Sequence, residues 1–560
     1  MQSILPLKIW NLKNSDTSLS IIDVILKNRQ LPDDHMEPFR LSEKLHDPYL
    51  LPDMEKGVAR ILKAIKENEK IVVFGDYDVD GVTSTALMLY FFKAVNYPVS
   101  YIVPNREQDG YGLKISGVDK ANALAAKLIV TVDNGISANE AIEYANTLGI
   151  DVVVTDHHLQ EGDLPPAYAV INPNRTDSTY PMRQICGVTV AFKLTHALGM
   201  KLLSEEEYKQ FLISHLDLVA IGIIADVMPL RDENYALVKF GLKVLVNTKK
   251  PGLIELKKVS GIKTGTITPI TIGYFLAPRL NAAGRMGEAS MAVDLLVEES
   301  QAKARNIAMQ LDGLNKERQS LQYSYLEAAI NSINGTEKED NKVIIVENDE
   351  WQAGLIGLVS GKLKEQFCRP ALAFTRDTDG NFVGSARSIE AFHVTEALTL
   401  FNHYFVNYGG HHKAAGLTIP AENYSIFKEE FISYVNGVLA DEKFTPELEI
   451  DSIVEVDQIN ERVSHQIQEI GPFGEMNPEP FLLLQNGRIR DIRIMSGGRH
   501  LKFYVEKANR IFECLWWGGG EYKDDIRLGS ECDLVFRMNI NIFQGTPRLQ
   551  LTIEDVKINN

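Results

Sequence analysis

Residues 71–81 read Ile-Val-Val-Phe-Gly-Asp-Tyr-Asp-Val-Asp-Gly. The first four are apolar at every position and rich in β-branched residues, the pattern of a short strand covered on both faces. Asp76, Asp78 and Asp80 follow at a spacing of two, and Gly81 starts a helical pattern that runs to Val95. Outward from this unit the alternation repeats. Apolar runs at Val99–Val103, Leu128–Val132 and Val152–Thr155 are separated by helical patterns at Ile115–Ala126 and Ala138–Leu148. Strand–helix–strand alternation predicts an α/β fold with a parallel, doubly wound sheet. Such sheets place ligands at the carboxyl ends of their strands, which gives every motif a positional test.

Several motifs pass it. Three carboxylates crowded on the loop after Phe74 repel one another unless a cation holds them. Read alone, that loop is equally a solvated turn closed by glycine. An EF-hand fits poorly, because no Glu closes the loop. Asp133 ends the run 128–132 and precedes Asn134-Gly135, by itself a turn signal. Asp156-His157-His158 ends the run 152–155. Asp226 follows the apolar stretch ending Ile223-Ile224-Ala225, where a carboxylate is costly to bury unless paired or metal-bound; alone it reads as an exposed helix end. Together these groups bring carboxylates and a histidine pair from separate strand ends. That donor set suits Mn²⁺ or Mg²⁺, with imidazole tilting toward Mn²⁺, and suits zinc less without cysteine ligands. Two such ions bridged by one carboxylate suit phosphoryl chemistry. No GxxxxGK[ST] loop and no strand-linked GxGxxG occurs, which argues against nucleotide kinases and dinucleotide dehydrogenases.

Composition sets the frame. The chain has 560 residues, 45% hydrophobic and 24% charged, as in ordinary globular proteins. Its net charge of −17 argues against a surface coated for nucleic acid. Residues 481–560 carry 12 Lys and Arg against 10 Asp and Glu, which leaves −19 on the rest and permits a local basic groove. No apolar stretch approaches the roughly 18 residues of a membrane span. The start, MQSILPLKIW, lacks a signal-peptide pattern. Four dispersed cysteines without a CxxC pair read as reduced, in a cytoplasmic protein.

The organisation reads as five segments. Residues 1–50 carry no interpretable motif, 51–287 hold the parallel sheet, and 288–341 form a long helix with an exposed end. A second, smaller α/β domain covers 342–445, with strands at Val343–Val346, Ala371–Thr375, Phe382–Ser385 and Leu417–Ile419. The helix is then a connector, with Arg318 interrupting its apolar stripe. From 446 to 560 the period-two runs Leu501/Phe503/Val505 and Leu549/Leu551/Ile553 predict an antiparallel β module, with a five-stranded barrel as one candidate. Trp516-Trp517 suggests a base-stacking platform, though neighbouring strand residues face opposite sides and only one can serve.

The motifs Gly-Asp-Tyr-Asp-Val-Asp-Gly (75–81), Asp-Asn-Gly (133–135) and Asp-His-His (156–158) resemble the DHH phosphoesterase superfamily. Ala-Pro-Arg-Leu-Asn-Ala-Ala-Gly-Arg (277–285) and Gly-Gly-His-His-Lys-Ala-Ala-Gly (409–416) narrow the resemblance to the RecJ family of single-strand-specific 5′→3′ exonucleases, over about residues 50–560. The resemblance implies a DHH catalytic domain, a DHH-associated domain and an OB-like C-terminal barrel. It implies two Mn²⁺ or Mg²⁺ ions, with Asp78 and Asp80 each favouring one and Asp133 bridging both. His157 and Asp226 would complete the more enclosed site, and Asp76 would be a ligand or its outer partner. His158 would stand near the scissile phosphate. Arg285, Arg279 and Asn281 would approach phosphates, and the loop bearing Gly410, His411 and His412 would grip the backbone across a cleft. Ser385 and Arg387, two residues apart on one side of an extended strand, would hold a terminal 5′-phosphate with Arg106 opposite. Read alone, Arg106 is a loop cation and Arg387 a solvated strand end. The expected partners are single-stranded DNA, a helicase and a single-strand-binding protein, the last two implied by the resemblance only; a monomer is expected, with no membrane.

Other readings compete. A phosphoesterase for short oligonucleotides or other small phosphoesters has no use for the C-terminal platform. A haloacid-dehalogenase-type phosphatase matches Asp78-Val79-Asp80-Gly81-Val82-Thr83 but does not require Asp-His-His. A non-catalytic module would not need the full ligand set.

Overall fold

The computed structural model describes residues 6–15, 19–32, 35–105, 109–160, 162–262, 265, 267–336, 340–543 and 546–559. The chain divides into two compact units, 40–442 and a second one made of 1–39 with 443–560.

In the first unit, the strand Ile71–Phe74 lies at the heart of a parallel sheet. Its order is Ser100–Ile102, Ile71–Phe74, Leu128–Val132, Asp151–Thr155, Ala169–Ile171. The central strands Ile71–Phe74 and Leu128–Val132 are buried on both faces, as their unbroken apolar runs predict, while the edge strand Ser100–Ile102 is partly exposed. Ile71, Val73, Leu128 and Val130 join one core, while Val72, Phe74, Ile129 and Val152 join the core on the other face. After Ile71–Phe74 the chain first lays a strand on one side and then crosses to the other. The winding direction therefore reverses between Ile71–Phe74 and Leu128–Val132, and a crevice opens at their carboxyl ends. The helix Val79–Ala94 starts in that crevice and is buried nearly all round.

The predicted single helix from 288 to 333 is two helices, Ser290–Val297 and Gln301–Ile333. The chain is extended at Glu298, and Ser300 caps the second helix by accepting from the Lys303 N–H, so the break has a local cause. The longer helix serves two cores. Ala304, Ala308 and Leu311 pack into the first, and Ala329 and Ile333 pack with Ile344, Val346 and Trp351 of the second α/β layer. That layer is a five-stranded sheet in the order Asn407–His411, Ala414–Ile419, Phe382–Arg387, Ala371–Arg376, Ile344–Glu347. Among the described residues no single helix is long and apolar enough to cross a membrane. The bent pair Glu205–Ser214 and Leu216–Ala225 reaches that composition, and its second helix is mostly buried in the core.

The second unit is a barrel. Leu482–Met495, His500–Lys507, Arg510–Trp516, Thr546–Asn559 and Glu531–Phe543 follow one another, and the last pairs back to the first. All pairings are antiparallel except Arg510–Trp516 with Thr546–Asn559, where closure brings two strands together in parallel. Leu501, Phe503, Val505, Leu551 and Ile553 point inward, as the period-two pattern predicts.

The uninterpreted N-terminus belongs partly here. Ile9–Leu12 pairs in parallel with Glu447–Ile450, and the helix Ile21–Asn28 adds Ile21, Ile25 and Leu26 to the barrel core. Asp555, fully buried, accepts hydrogen bonds from the Leu7 N–H (3.1 Å), the Lys8 N–H (3.0 Å) and Trp10 Nε1 (2.9 Å). Residues 40–50 lie in the other unit. Asp555→Ala leaves three donors without their acceptor and is expected to lower this unit's stability by about 2–3 kcal/mol. It should also open residues 6–12 to protease. An unchanged denaturation midpoint would mean that strand pairing alone holds the segment.

Candidate metal centre

The loop after Phe74 is shaped by its glycines. A Cβ on Gly81 would fall 2.6 Å from the Asp76 backbone nitrogen, so only glycine lets the loop curl back on itself. Asp78 caps the helix Val79–Ala94 by accepting from the Gly81 N–H at 3.0 Å. Asp80 is buried and accepts from the N–H groups of Gly187 (2.5 Å) and Val188 (2.8 Å), which open the helix Gly187–Leu202. Two helix N-termini thus face the carboxylates and offset part of their charge. Gly187 also makes room for Asp133, since a Cβ there would touch the Asp133 carboxylate at 2.5 Å. Gly222 does the same for Asp80, at 2.9 Å.

Asp133 leaves its strand with φ 64°, an uncommon backbone state for a residue with a side chain. Its carboxylate meets two groups. Oxygens of Asp76, Asp78 and Asp133 lie within 4.8 Å of one another. On the other side, His157 Nε2 is 3.1 Å from Asp133 Oδ1, 3.7 Å from Asp226 Oδ2 and 3.8 Å from Asp80 Oδ2. Asp226 caps the helix Leu216–Ala225 at its C-terminus, and the chain turns away at Val227 with φ 54°. Cys186, one of the four dispersed cysteines, is buried here with its Sγ within 4.8 Å of ligand atoms of Asp80 and Asp226.

Asp76 Oδ1 and Asp226 Oδ2 are buried without a hydrogen-bond partner, and Asp133 Oδ1 has the close approach of His157 Nε2 at 3.1 Å without hydrogen-bond alignment. Orphaned anionic oxygens converging from three segments are what a divalent cation satisfies, so the residues fit a metal pair. Burial first, then the neighbouring aspartates, push Asp76 and Asp133 well above the usual carboxyl range. The same causes raise Asp80 to about 6 and Asp226 to about 8. Burial and then the charge of His158 lower His157 to about 4, so it is a neutral imidazole at pH 7, the form that ligates metal.

His158 takes the opposite state. Burial disfavours its charge, but the hydrogen bond to Asp156 and the charges of Asp156, Asp226 and Asp78 raise it to about 9. Its Nδ1 lies 2.7 Å from Asp156 Oδ1. Asp156 also accepts from the N–H groups of Ile136, His157 and His158, so it orients the pair rather than joining the cluster. Asn172 and Asn174 donate to the carbonyls of His158 and His157. The Tyr111 hydroxyl sits 2.9 Å from His158 Nε2. The sequence left Asp156, Asn172, Asn174 and Tyr111 without roles. Tyr111 was signalled only by its place between Gly110 and Gly112, both at positive φ.

The expected phosphate contacts divide. Arg106 lies outside the described residues. Arg279 is spent inside the fold: Nε and Nη2 are each 2.9 Å from Asp312 Oδ1, and Nη1 donates to the Phe275 carbonyl at 2.6 Å. Asn281 is half-buried, with no side-chain hydrogen bond among the described residues. Arg285 Nη1 donates to the Gly354 carbonyl at 2.9 Å and ties its helix, Ala277–Arg285, to the second α/β layer. Gly284 beside it approaches the Tyr77 carbonyl so closely that a Cβ would fall at 2.4 Å. This helix therefore buttresses the aspartate loop. Ser385 and Arg387 both lie within the strand Phe382–Arg387, which runs two residues beyond the expected Phe382–Ser385. They share a face, with Arg387 Nη1 at 3.1 Å from Ser385 Oγ. Gly410 and His411 end the edge strand Asn407–His411 instead of forming a loop, and His412 starts the tight turn after it. Burial and then the Arg387 charge lower His411, which lies in register with Arg387 across the intervening strand, both opposite Ala414. Trp516 is inside the barrel, stacked on Tyr522, while Trp517 is 57% exposed.

Family models match three stretches: the DHH family N-terminal domain over 70–223, the DHHA1 domain over 340–437 and the RecJ OB domain over 450–555. The single-stranded-DNA-specific exonuclease RecJ of Salmonella typhimurium is 35% identical, with 90% of each chain covered. The protein of the same name from Bacillus subtilis is 36% identical over 92% of this chain, which spans 64% of that relative's length. This chain belongs to the RecJ family. The crystal structure of RecJ in complex with Mn²⁺ from Thermus thermophilus shares its fold at a TM-score of 0.82 and 26% identity, covering 99% of this chain and 80% of that one. A second structure of that RecJ holds Mg²⁺.

For a RecJ family member the raised carboxyls have a consequence. They keep protons at pH values where the unfolded chain, with ordinary aspartates near 4, has lost them. The metal-free fold therefore loses stability as pH rises from about 4, where unfolded aspartates ionise, until Asp80 and Asp226 have ionised in the fold at about 6 and about 8. A cation reverses this, because it binds the ionised form and displaces the proton. Mn²⁺ affinity by calorimetry should rise at least about tenfold from pH 5.5 to 8.5, with proton release that varies with buffer ionisation heat. A flat profile would contradict the coupling.

Proposed function

We propose that this chain is a metal-dependent exonuclease that hydrolyses single-stranded DNA from the 5′ end to mononucleotides, in DNA repair and recombination. One observation carries the reading. In a RecJ family chain, orphaned carboxylate oxygens converge at the sheet's switch point beside one neutral and one charged histidine. Asp76, Asp78, Asp80, Asp133, His157 and Asp226 would hold two ions, Mn²⁺ or Mg²⁺, with Asp133 common to both groups. Bound there, the ions supply Lewis acidity and neutralise charge building on a phosphodiester.

The chain's own residues do the rest. His158, held as an imidazolium by Asp156, places a positive charge and an N–H beside the cluster, where a scissile phosphate oxygen would accept. Ser385 and Arg387 present a hydroxyl and a planar fork on one strand face, suited to a terminal phosphate. Gly357 supports that pocket, since a Cβ there would fall 3.0 Å from Ser385 Oγ and 3.2 Å from Arg387 Nη2. His411 lies in register with Arg387 one strand beyond its neighbour, and Arg106 is proposed as the pocket's opposite wall. Holding the terminus would set polarity and step size. The barrel would bind the strand without taking part in the chemistry. A helicase and a single-strand-binding protein are proposed partners of a cytoplasmic monomer.

Three outcomes test this. Purified protein with Mn²⁺ should release label from 5′-labelled single strands first, and chelation should stop it. Asp133→Ala should lower the rate at least about a hundredfold while the protein stays folded. Near-normal hydrolysis by that variant would remove the central assignment. Arg387→Ala should shrink the preference for 5′-phosphorylated over 5′-hydroxyl strands with Mn²⁺ affinity retained. An unchanged ratio would move end recognition elsewhere.

A further inference from the structure

The helix that buttresses the aspartate loop begins with an irregular turn. Between Pro269–Thr271 and Ala277–Arg285, residues Ile272–Leu276 form a π-helical turn, with the Ala277 N–H bonded to the Ile272 carbonyl five residues back. Such turns are rare and cluster at functional sites. Ile272 and Leu276 are fully buried and anchor it. Between them the chain presents Tyr274, 75% exposed, and Phe275, 46% exposed, with Ile270 also exposed just before.

Single exposed apolar residues are normal, but two adjacent aromatic rings on a rigid turn are not. Neither ring touches another ring or a cation among the described residues. The turn is nonetheless fastened. The Phe275 carbonyl accepts from Arg279 Nη1 at 2.6 Å and from Ser260 Oγ at 3.3 Å, and Asp312 fixes Arg279 from the other side. Arg279, expected to reach phosphate, instead locks the turn that carries the rings. The turn also packs on the helix that ends at Asp226. Gly273 faces Ile224 on the helix Leu216–Ala225, with a Cβ position 4.0 Å from Ile224 Cγ2, and Asp226 follows two residues later.

We infer that Tyr274 and Phe275 form a stacking platform for unpaired bases of the DNA strand near the metal centre. The inference rests on the exonuclease reading and deepens it. Unpaired bases are flat π surfaces that stack on aromatic side chains without regard to sequence. A rigid turn positions the rings at little ordering cost. Duplex DNA keeps its bases stacked inside, so the platform would favour single strands, and it needs no local excess of positive charge in a chain of net −17.

The test uses the full chain in chelating buffer, with 5′-labelled oligothymidylate as probe. Tyr274→Ala with Phe275→Ala should weaken binding about 5- to 100-fold. Tyr274→Trp should bind like wild type, and the strand should quench its indole beyond any quenching of the wild-type tryptophans. Unchanged affinity in the alanine variant, or no added quenching in the tryptophan variant, overturns the inference. If the alanine variant does not fold, the quenching decides alone. Failure of the wild type itself to bind or hydrolyse single strands would instead overturn the functional reading.

Discussion

Several carboxylates in one buried crevice repel one another, and much of the first unit is arranged around that repulsion. Asp76, Asp80 and Asp133 converge in the interior, with Asp78 and Asp226 half-buried beside them. In the metal-free protein the conflict is met partly by retained protons and partly by backbone N–H groups at two helix starts. What remains is a set of oxygens with no partner, the signature of a site completed by cations. The adjacent histidines divide the electrostatic work. His157 is buried among the carboxylates yet neutral, and His158, turned onto Asp156, is charged.

Close approach is the second requirement, and glycine provides it. Gly81, Gly187 and Gly222 each occupy a place where a methyl group would collide with an aspartate or its backbone. Gly284 lets the helix Ala277–Arg285 lie directly on the aspartate loop. That helix then reaches the second α/β layer through Arg285, while the connector Gln301–Ile333 shares its apolar face between both cores. The proposed phosphate pocket on Phe382–Arg387 is thereby carried by an element braced against the metal centre. Arginines of the 277–285 motif serve this bracing, which explains their spacing as well as phosphate contact would.

Much of this was legible in residues 71–81 and the runs that follow. Apolar strands without alternation announce a sheet covered on both faces, and acidic motifs after Ile71–Phe74, Leu128–Val132 and Asp151–Thr155 announce their common end. Period-two patterning announced the barrel, since its inward residues must all be apolar. These properties are local, because they depend on which neighbours in sequence share a face.

Contacts between distant segments were not legible. Nothing in Asp555 or in residues 7–10 signals that they meet, because a buried carboxylate and its donors carry no mutual pattern in sequence. Nor does sequence show that Asp156 supports His158, that Tyr111 reaches it, that Cys186 lines the centre, or that Arg279 turns toward Asp312. The strand reaching Arg387 likewise depends on pairing with a remote strand, whereas the break at Glu298–Ser300 is a local cap that the apolar spacing alone does not reveal. The sequence by itself determined the chemistry available and the strand ends that carry it, because periodicity and residue type are local. The tertiary structure alone decided which groups are charged, which are orphaned and which are spent on architecture, because burial and partnership arise only when distant segments meet.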